Sequence, residues 1–126
     1  MRTNKQKLDL ERYSRRLRVY EEVKKILCIL RDDVETSVGD LLKFRTSVSE
    51  ADFLFNHEIP KYLDQIFERG WSLLKLQKQY RSFNQEEPEG YDHNEVVKAL
   101  DKEYKWFSEQ MDISKEKFKK YLDISE

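Results

Sequence analysis

Apolar side chains return at steps of three and four residues along three long stretches of this chain, a spacing that belongs to helices and not to strands. In the first, Leu10, Tyr13, Leu17, Tyr20, Val23, Leu27 and Leu30 line one face of a helix expected over about 5–32. In the second, Ile59, Tyr62, Leu63, Ile66, Phe67, Leu73, Leu74, Leu76, Tyr80 and Phe83 mark a helix over about 58–83. In the third, Val97, Leu100, Tyr104, Phe107, Met111, Phe118 and Tyr121 run heptad-like over about 92–122, with one polar gap at Ser114. At 1.5 Å per residue the third helix measures roughly 45 Å. A compact globule of this size has a radius of gyration of only ~14 Å, so the bundle must be elongated.

Two short helices are expected between the first and second long ones. Ser37 with Asp40 three residues later forms a capping box ahead of Val38, Leu41, Leu42 and Phe44, placing one over about 38–47. Ser49 with Asp52 is a variant of the same signal and opens a second over about 49–56. Its apolar trio, Phe53, Leu54 and Phe55, is predicted to plug one end of the bundle, and Asn56 ahead of Pro60 starts the next long helix. Asp32 and Asp33 close the first helix. The clear loop is 84–91, with Pro88 and Gly90, and Asp92 with Glu95 then caps the last helix. Gly70 falls where the second stripe wants a large residue. That costs about 1 kcal/mol relative to alanine, which a closely passing helix or the apolar plug would explain, as would a kink or a simple sequence accident. The predicted fold is all-α: a single elongated domain over 1–126, three long helices running up, down and up, with the short pair at one end or one side.

The composition agrees with a solvated helical bundle. Charged residues are 39% of the chain and glycine and proline only five residues, too few for a sandwich of tight turns. Sixteen aromatics supply core material that a disordered chain lacks. The longest apolar run, Ile26 to Leu30, falls far short of the roughly 20 residues of a spanning helix. The polar start, Met1 to Lys7, has no signal-peptide core after it. Cys28 is the single cysteine, so no intramolecular disulfide forms; a cytoplasmic location follows as the expectation, with Cys28 as a small core residue.

Catalytic and cofactor patterns are missing. Glycine occurs only at 39, 70 and 90, which excludes a phosphate-binding glycine loop. The residues three before His57 and His93 are Leu54 and Gly90, where a bundle di-metal site would carry glutamates. Lys61 stands where a His-Glu-x-x-His motif starting at His57 would need its second histidine. Cys28 has no evident base. No cofactor and no catalytic residue are expected, and the protein reads as a non-enzyme.

Charge is uneven along the chain. Residues 1–25 carry nine Lys/Arg against four Asp/Glu, whereas residues 26–100 carry nine against 14. Arg12, Arg15 and Arg16, joined by Lys5, are the candidate partner-binding residues, able to share one helix surface. Tyr13 and Tyr20 are expected on the core stripe, away from any stacking surface, and Glu11, Glu21 and Glu22 interrupt the basic field. A second cluster, Lys115, Lys117, Lys119 and Lys120, suits the negative end of the last helix.

The Arg-rich stretch from Arg12 to Tyr20, Phe44, the run Ala51 to Phe55 with Glu58, Ile59 and Tyr62, and the late Trp106, Phe107, Phe118, Tyr121 and Leu122 together form a loose pattern over most of the chain. In this it resembles a widespread, loosely defined group of small uncharacterised bacterial all-helical proteins. Many members of that group carry an apolar, membrane-anchoring helix ahead of the domain; an anchor is not expected here. The resemblance implies the helical fold and assigns no activity. The expected function is therefore non-enzymatic protein–protein interaction, with an unidentified protein partner, and self-association through the long stripes is a further route. The alternative is a nucleic-acid-associated or inhibitor protein that uses the basic first helix.

Overall fold

A computed structural model describes residues 4–32 and 37–122. The described residues form helices α1 (Asn4–Arg31), α2 (Val38–Ser47), α3 (Ala51–Leu54), α4 (Glu58–Gln79) and α5 (His93–Leu122), with no strand among them. Asp32 follows α1 as a turn; Asp33 lies outside the described residues. None of these helices is long and apolar enough to cross a membrane.

Side-chain pairs give the helix directions. Tyr20 of α1 meets Phe118 of α5 and Arg16 meets Tyr121, so α1 and α5 are antiparallel. Ser47 donates to Glu22, while Ile29 and Asp40 border one depression, so α2 runs back along α1. Arg45 lies over Phe67 and Leu41 against Gly70, which makes α2 and α4 antiparallel too. Tyr62 reaches Gln110 and Arg69 reaches Glu103, and α5 thus descends along α4. The main helix contacts, α1–α5, α5–α4, α4–α2 and α2–α1, close a ring. The order is up-down-up-down, with α1 and α4 parallel across the diagonal, and the expected up-down-up order is corrected. The reason lies in α2: ten residues suffice to carry the chain back down one wall of the bundle, so α4 starts at the same end as α1 does.

Local chemistry explains the boundaries. Ser37 and Asp40 form the full capping box: the Ser37 side chain accepts from the Asp40 N–H and the Asp40 carboxylate from the Ser37 N–H, each at 3.1 Å. Asp92 accepts from the Glu95 N–H at 3.2 Å and starts α5. The Ser49 and Asn56 signals are not used, since α3 begins after Glu50 and α4 after His57, neither with a side-chain cap. The expected helix over 49–56 is one turn. That turn has a single inner face, which takes Ala51, Leu54 and Phe55 at steps of three and one and leaves Phe53 outside, 87% exposed. The plug is Leu54 and Phe55, without Phe53. α4 stops at Gln79, four residues before its expected end, so Tyr80 is only its cap and Phe83 is 99% exposed in the loop.

The α1 stripe is also corrected. Its buried residues are Val19, Tyr20, Val23, Ile26, Leu27 and Leu30, all in the C-terminal part of the helix. Leu10 and Tyr13 are 46% and 43% exposed, and Cys28 is half-buried rather than core.

Candidate interaction surface

The stagger follows from which residues face each other. With Arg16 beside Tyr121 and α5 described to Leu122, the N-terminal part of α1 runs beyond its neighbours, and every residue from Asn4 to Arg15 is exposed. At the other end, Arg31 comes about level with Phe107 by helical rise, since Tyr20 is opposite Phe118. α2 reaches Gly70 through Leu41. Beyond those levels α4 and α5 continue as a two-helix arm, with the loop 80–92 at its tip.

Arg16 marks the point where α1 leaves the bundle. Its Nε donates to the Leu54 carbonyl at 2.7 Å, and its guanidinium lies 5.7 Å from the Phe55 ring centre and 5.4 Å from that of Tyr121. Phe55 in turn packs edge-on against Tyr121 and Phe118. Beside them Glu58 accepts from Lys120 at 2.6 Å and from Tyr121 at 3.1 Å. The Lys120 hydrogen bond holds the Glu58 carboxyl below its ordinary range and holds the Lys120 ammonium above its own. Burial, then the bond to Glu58, raises the Tyr121 phenol. This corner is a polar and aromatic clamp that joins α1, α3, α4 and α5.

Of the three candidate arginines, then, Arg16 is committed to the bundle. Arg12 and Arg15 are exposed on the projecting turns of α1, and helical period puts them on one face with Lys5. Leu8, 59% exposed, shares that face, whereas Leu10 and Tyr13 lie on the far side of the helix, in line with Leu17 and Tyr20. The second basic cluster is partly spent on neighbours: Lys117 lies over Tyr62, Lys119 is 3.9 Å from Glu116, and Lys120 is held by Glu58. Lys24, Arg45 and Arg69 likewise cover Tyr20, Phe67 and Trp106. Such pairs occur roughly once per 70–80 residues in proteins; among the described residues here, six of the chain's 24 Lys/Arg residues lie over aromatic faces.

The other candidates are plain. His57 and His93 are both exposed; His93 Nδ1 is 3.0 Å from the Tyr91 hydroxyl. Among the described residues no group of three His, Cys, Asp or Glu could hold a metal. The buried polar layer is Tyr62, Gln110 and Ser114. Tyr62 donates to Gln110 Oε1 at 2.7 Å, Gln110 donates to the Trp106 carbonyl and Ser114 to that of Met111, so each polar group is satisfied inside α4 and α5. A shallow depression of about 200 Å³ between α2 and α4 is floored by Phe44, Val48, Leu63 and Phe67 and rimmed by Arg45 and Asp64. No family model matches the chain, and no curated protein and no solved structure matches it either.

Proposed function

We propose that the protein is a non-catalytic interaction module that presents the projecting half of α1 to a protein partner. The observation that carries this reading is a helix from Asn4 to Arg15 with three large apolar side chains, Leu8, Leu10 and Tyr13, each at least 43% exposed, set among Lys5, Arg12 and Arg15. An isolated helix of about 12 residues is marginal in water, and packing against a partner is what such a segment lacks. A partner helix laid along the Leu10 and Tyr13 side would bury both, and Leu8 with Lys5, Arg12 and Arg15 offers a second, basic side. A reducing, cytoplasmic setting suits this role, because the single cysteine has no disulfide partner within the chain.

The test is capture from the native host with the wild-type chain and with Leu10→Asp/Tyr13→Asp, whose exposed positions leave the core intact. A specific partner lost with the variant supports the module. Identical captures from both, or none from a monomeric wild type, refute it.

A second reading rests on the shared face of Lys5, Arg12 and Arg15, which would contact nucleic-acid phosphates. Three cations predict a modest salt slope of about −2 to −3. Binding to generic duplex or single-stranded nucleic acid at low salt, abolished by Arg12→Ala/Arg15→Ala, would favour it; no binding at low salt removes it.

A further inference from the structure

The two staggered ends of this molecule match each other. Inside one chain, residues 16–31 of α1 pair antiparallel with about 107–122 of α5. What remains is Asn4 to Arg15 on α1, about 12 residues or 18 Å, and His93 to Trp106 on α5, about 14 residues or 21 Å. These leftovers carry the seam onward. On α1, Tyr13 stands one heptad before Tyr20, the residue that meets Phe118, and Leu10 one heptad before Leu17. On α5, Met111, Tyr104 and Val97 precede Phe118 by successive heptads, and Val97, Leu100 and Tyr104 are half-buried on the arm.

Charge selects how the leftovers meet. The projecting α1 segment holds Lys5, Lys7, Arg12 and Arg15 against Asp9 and Glu11. The loop and the α5 leftover, residues 80–106, hold seven Asp/Glu against Arg81, Lys98, Lys102 and Lys105, with the acidic excess at the tip in Glu86, Glu87, Glu89 and Asp92. Pairing two α1 segments about a twofold axis would set cations against cations. Pairing α1 of one copy with the arm of the next sets a net-positive segment against a net-negative tip and repeats the antiparallel geometry already used within the chain.

Building on the interaction-module reading, we infer that the partner is a second copy of this chain, bound head to tail, with the α1 segment of one copy on the Val97, Leu100 and Tyr104 face of the next. Such a contact is heterologous and does not close on itself, so copies add in a row. A pair of 12-residue helix segments buries less than the roughly 1,200 Å² of a standard interface, which makes the association weak and concentration-dependent. Being charge-assisted, it weakens as salt shortens the screening length from about 10 Å at 0.1 M towards 3 Å at 1 M.

The experiment is sedimentation velocity on the full chain from about 5 to 500 μM, a range set by that small interface, at 50 mM and 500 mM salt. The expected result is a mass that climbs past twice the 15.4 kDa of one chain at low salt and falls back at high salt. Leu10→Asp and Val97→Asp should each stay monomeric alone, while an equimolar mixture forms a one-to-one pair and nothing larger, because each variant keeps the end the other has lost. Circular dichroism checks that Val97→Asp is folded; should it not be, Glu95→Lys/Asp101→Lys, both exposed, takes its place as the arm variant. A wild type that stays at one chain mass throughout, a dimer that grows no further, or a variant mixture that stays monomeric overturns the inference. The first of those outcomes leaves capture of a foreign partner standing, since that is read separately with Leu10→Asp/Tyr13→Asp.

Discussion

Gly70 of α4 lies against Leu41 of α2 so closely that a Cβ built on the glycine would sit 2.6 Å from Leu41 Cδ2. Both residues are buried, Leu41 completely. Gly70→Ala gains about 1 kcal/mol of helix propensity but must displace a packed leucine, and overpacking typically costs about 1–3 kcal/mol. Urea unfolding should show Gly70→Ala less stable by about 1 kcal/mol. In a Leu41→Ala background the clash is gone, so the same substitution should become stabilising by about 1 kcal/mol. A substitution that destabilises equally in both backgrounds would mean that Leu41 is not what Gly70 accommodates.

The single turn of α3 separates two neighbouring phenylalanines. Phe55 is 8% exposed and touches Phe118 and Tyr121 edge-on, whereas Phe53 is 87% exposed. Phe55→Ala should cost about 3–5 kcal/mol, and Phe53→Ala should stay within about 0.5 kcal/mol. Equal losses at the two positions, measured by chemical denaturation, would contradict the inner-face assignment.

Arg16 should differ sharply from Arg12 and Arg15. Arg16→Ala removes a charge-assisted bond to the Leu54 carbonyl and two ring contacts, and should cost about 1.5–3 kcal/mol. Arg16→Lys should recover little, because an ammonium lacks the planar guanidinium that bonds and stacks at once. Arg12→Ala and Arg15→Ala should change stability by less than about 0.5 kcal/mol. Thermal unfolding of the four variants separates these outcomes.

Burial pushes the Tyr62 phenol well above the ordinary tyrosine range. The neutral phenol is thus favoured in the folded state, and its contribution is intact below the unfolded value of about 10 and lost as the pH rises past it. Stability measured from pH 8 to 12 should fall beyond about pH 10. Tyr62→Phe should show a lower plateau, because Gln110 Oε1 loses its donor, and a shallower alkaline slope. An unchanged slope would mean that Tyr62 does not govern this limb.

Glu58 works in the opposite direction. Its carboxyl, held low by Lys120, contributes stability that is present above the unfolded value of about 4.3 and is lost as the pH falls through its depressed folded value. Glu58→Gln should therefore flatten the acid limb below about pH 4.3, and should also soften the alkaline limb, because Glu58 raises Lys120 and Tyr121. The pair is exposed, and 0.5 M salt should reduce the difference.

The sequence by itself determined the all-α class, the approximate positions of the long helices and of α2, and the Ser37 and Asp92 starts; it singled out Gly70 but left a close neighbour, a kink and a sequence accident open. Those are local properties: periodicity, capping and the absence of a side chain act within a few residues of where they are read. It also put Lys5, Arg12 and Arg15 on one face, which needs only a continuous helix. Helix direction was decided by tertiary structure alone. Whether α2 is an appendage or a wall depends on Leu41 meeting Gly70 and Arg45 meeting Phe67, contacts between distant residues that no local spacing encodes. For the same reason Tyr13 and Tyr20 look alike in the stripe but only Tyr20 finds Phe118 opposite it, and only contacts with Leu54, Phe55 and Tyr121 distinguish Arg16 from Arg12. A stripe states which face a helix offers; how far that face is covered depends on the lengths and offsets of its neighbours, and here the offsets leave half of α1 bare.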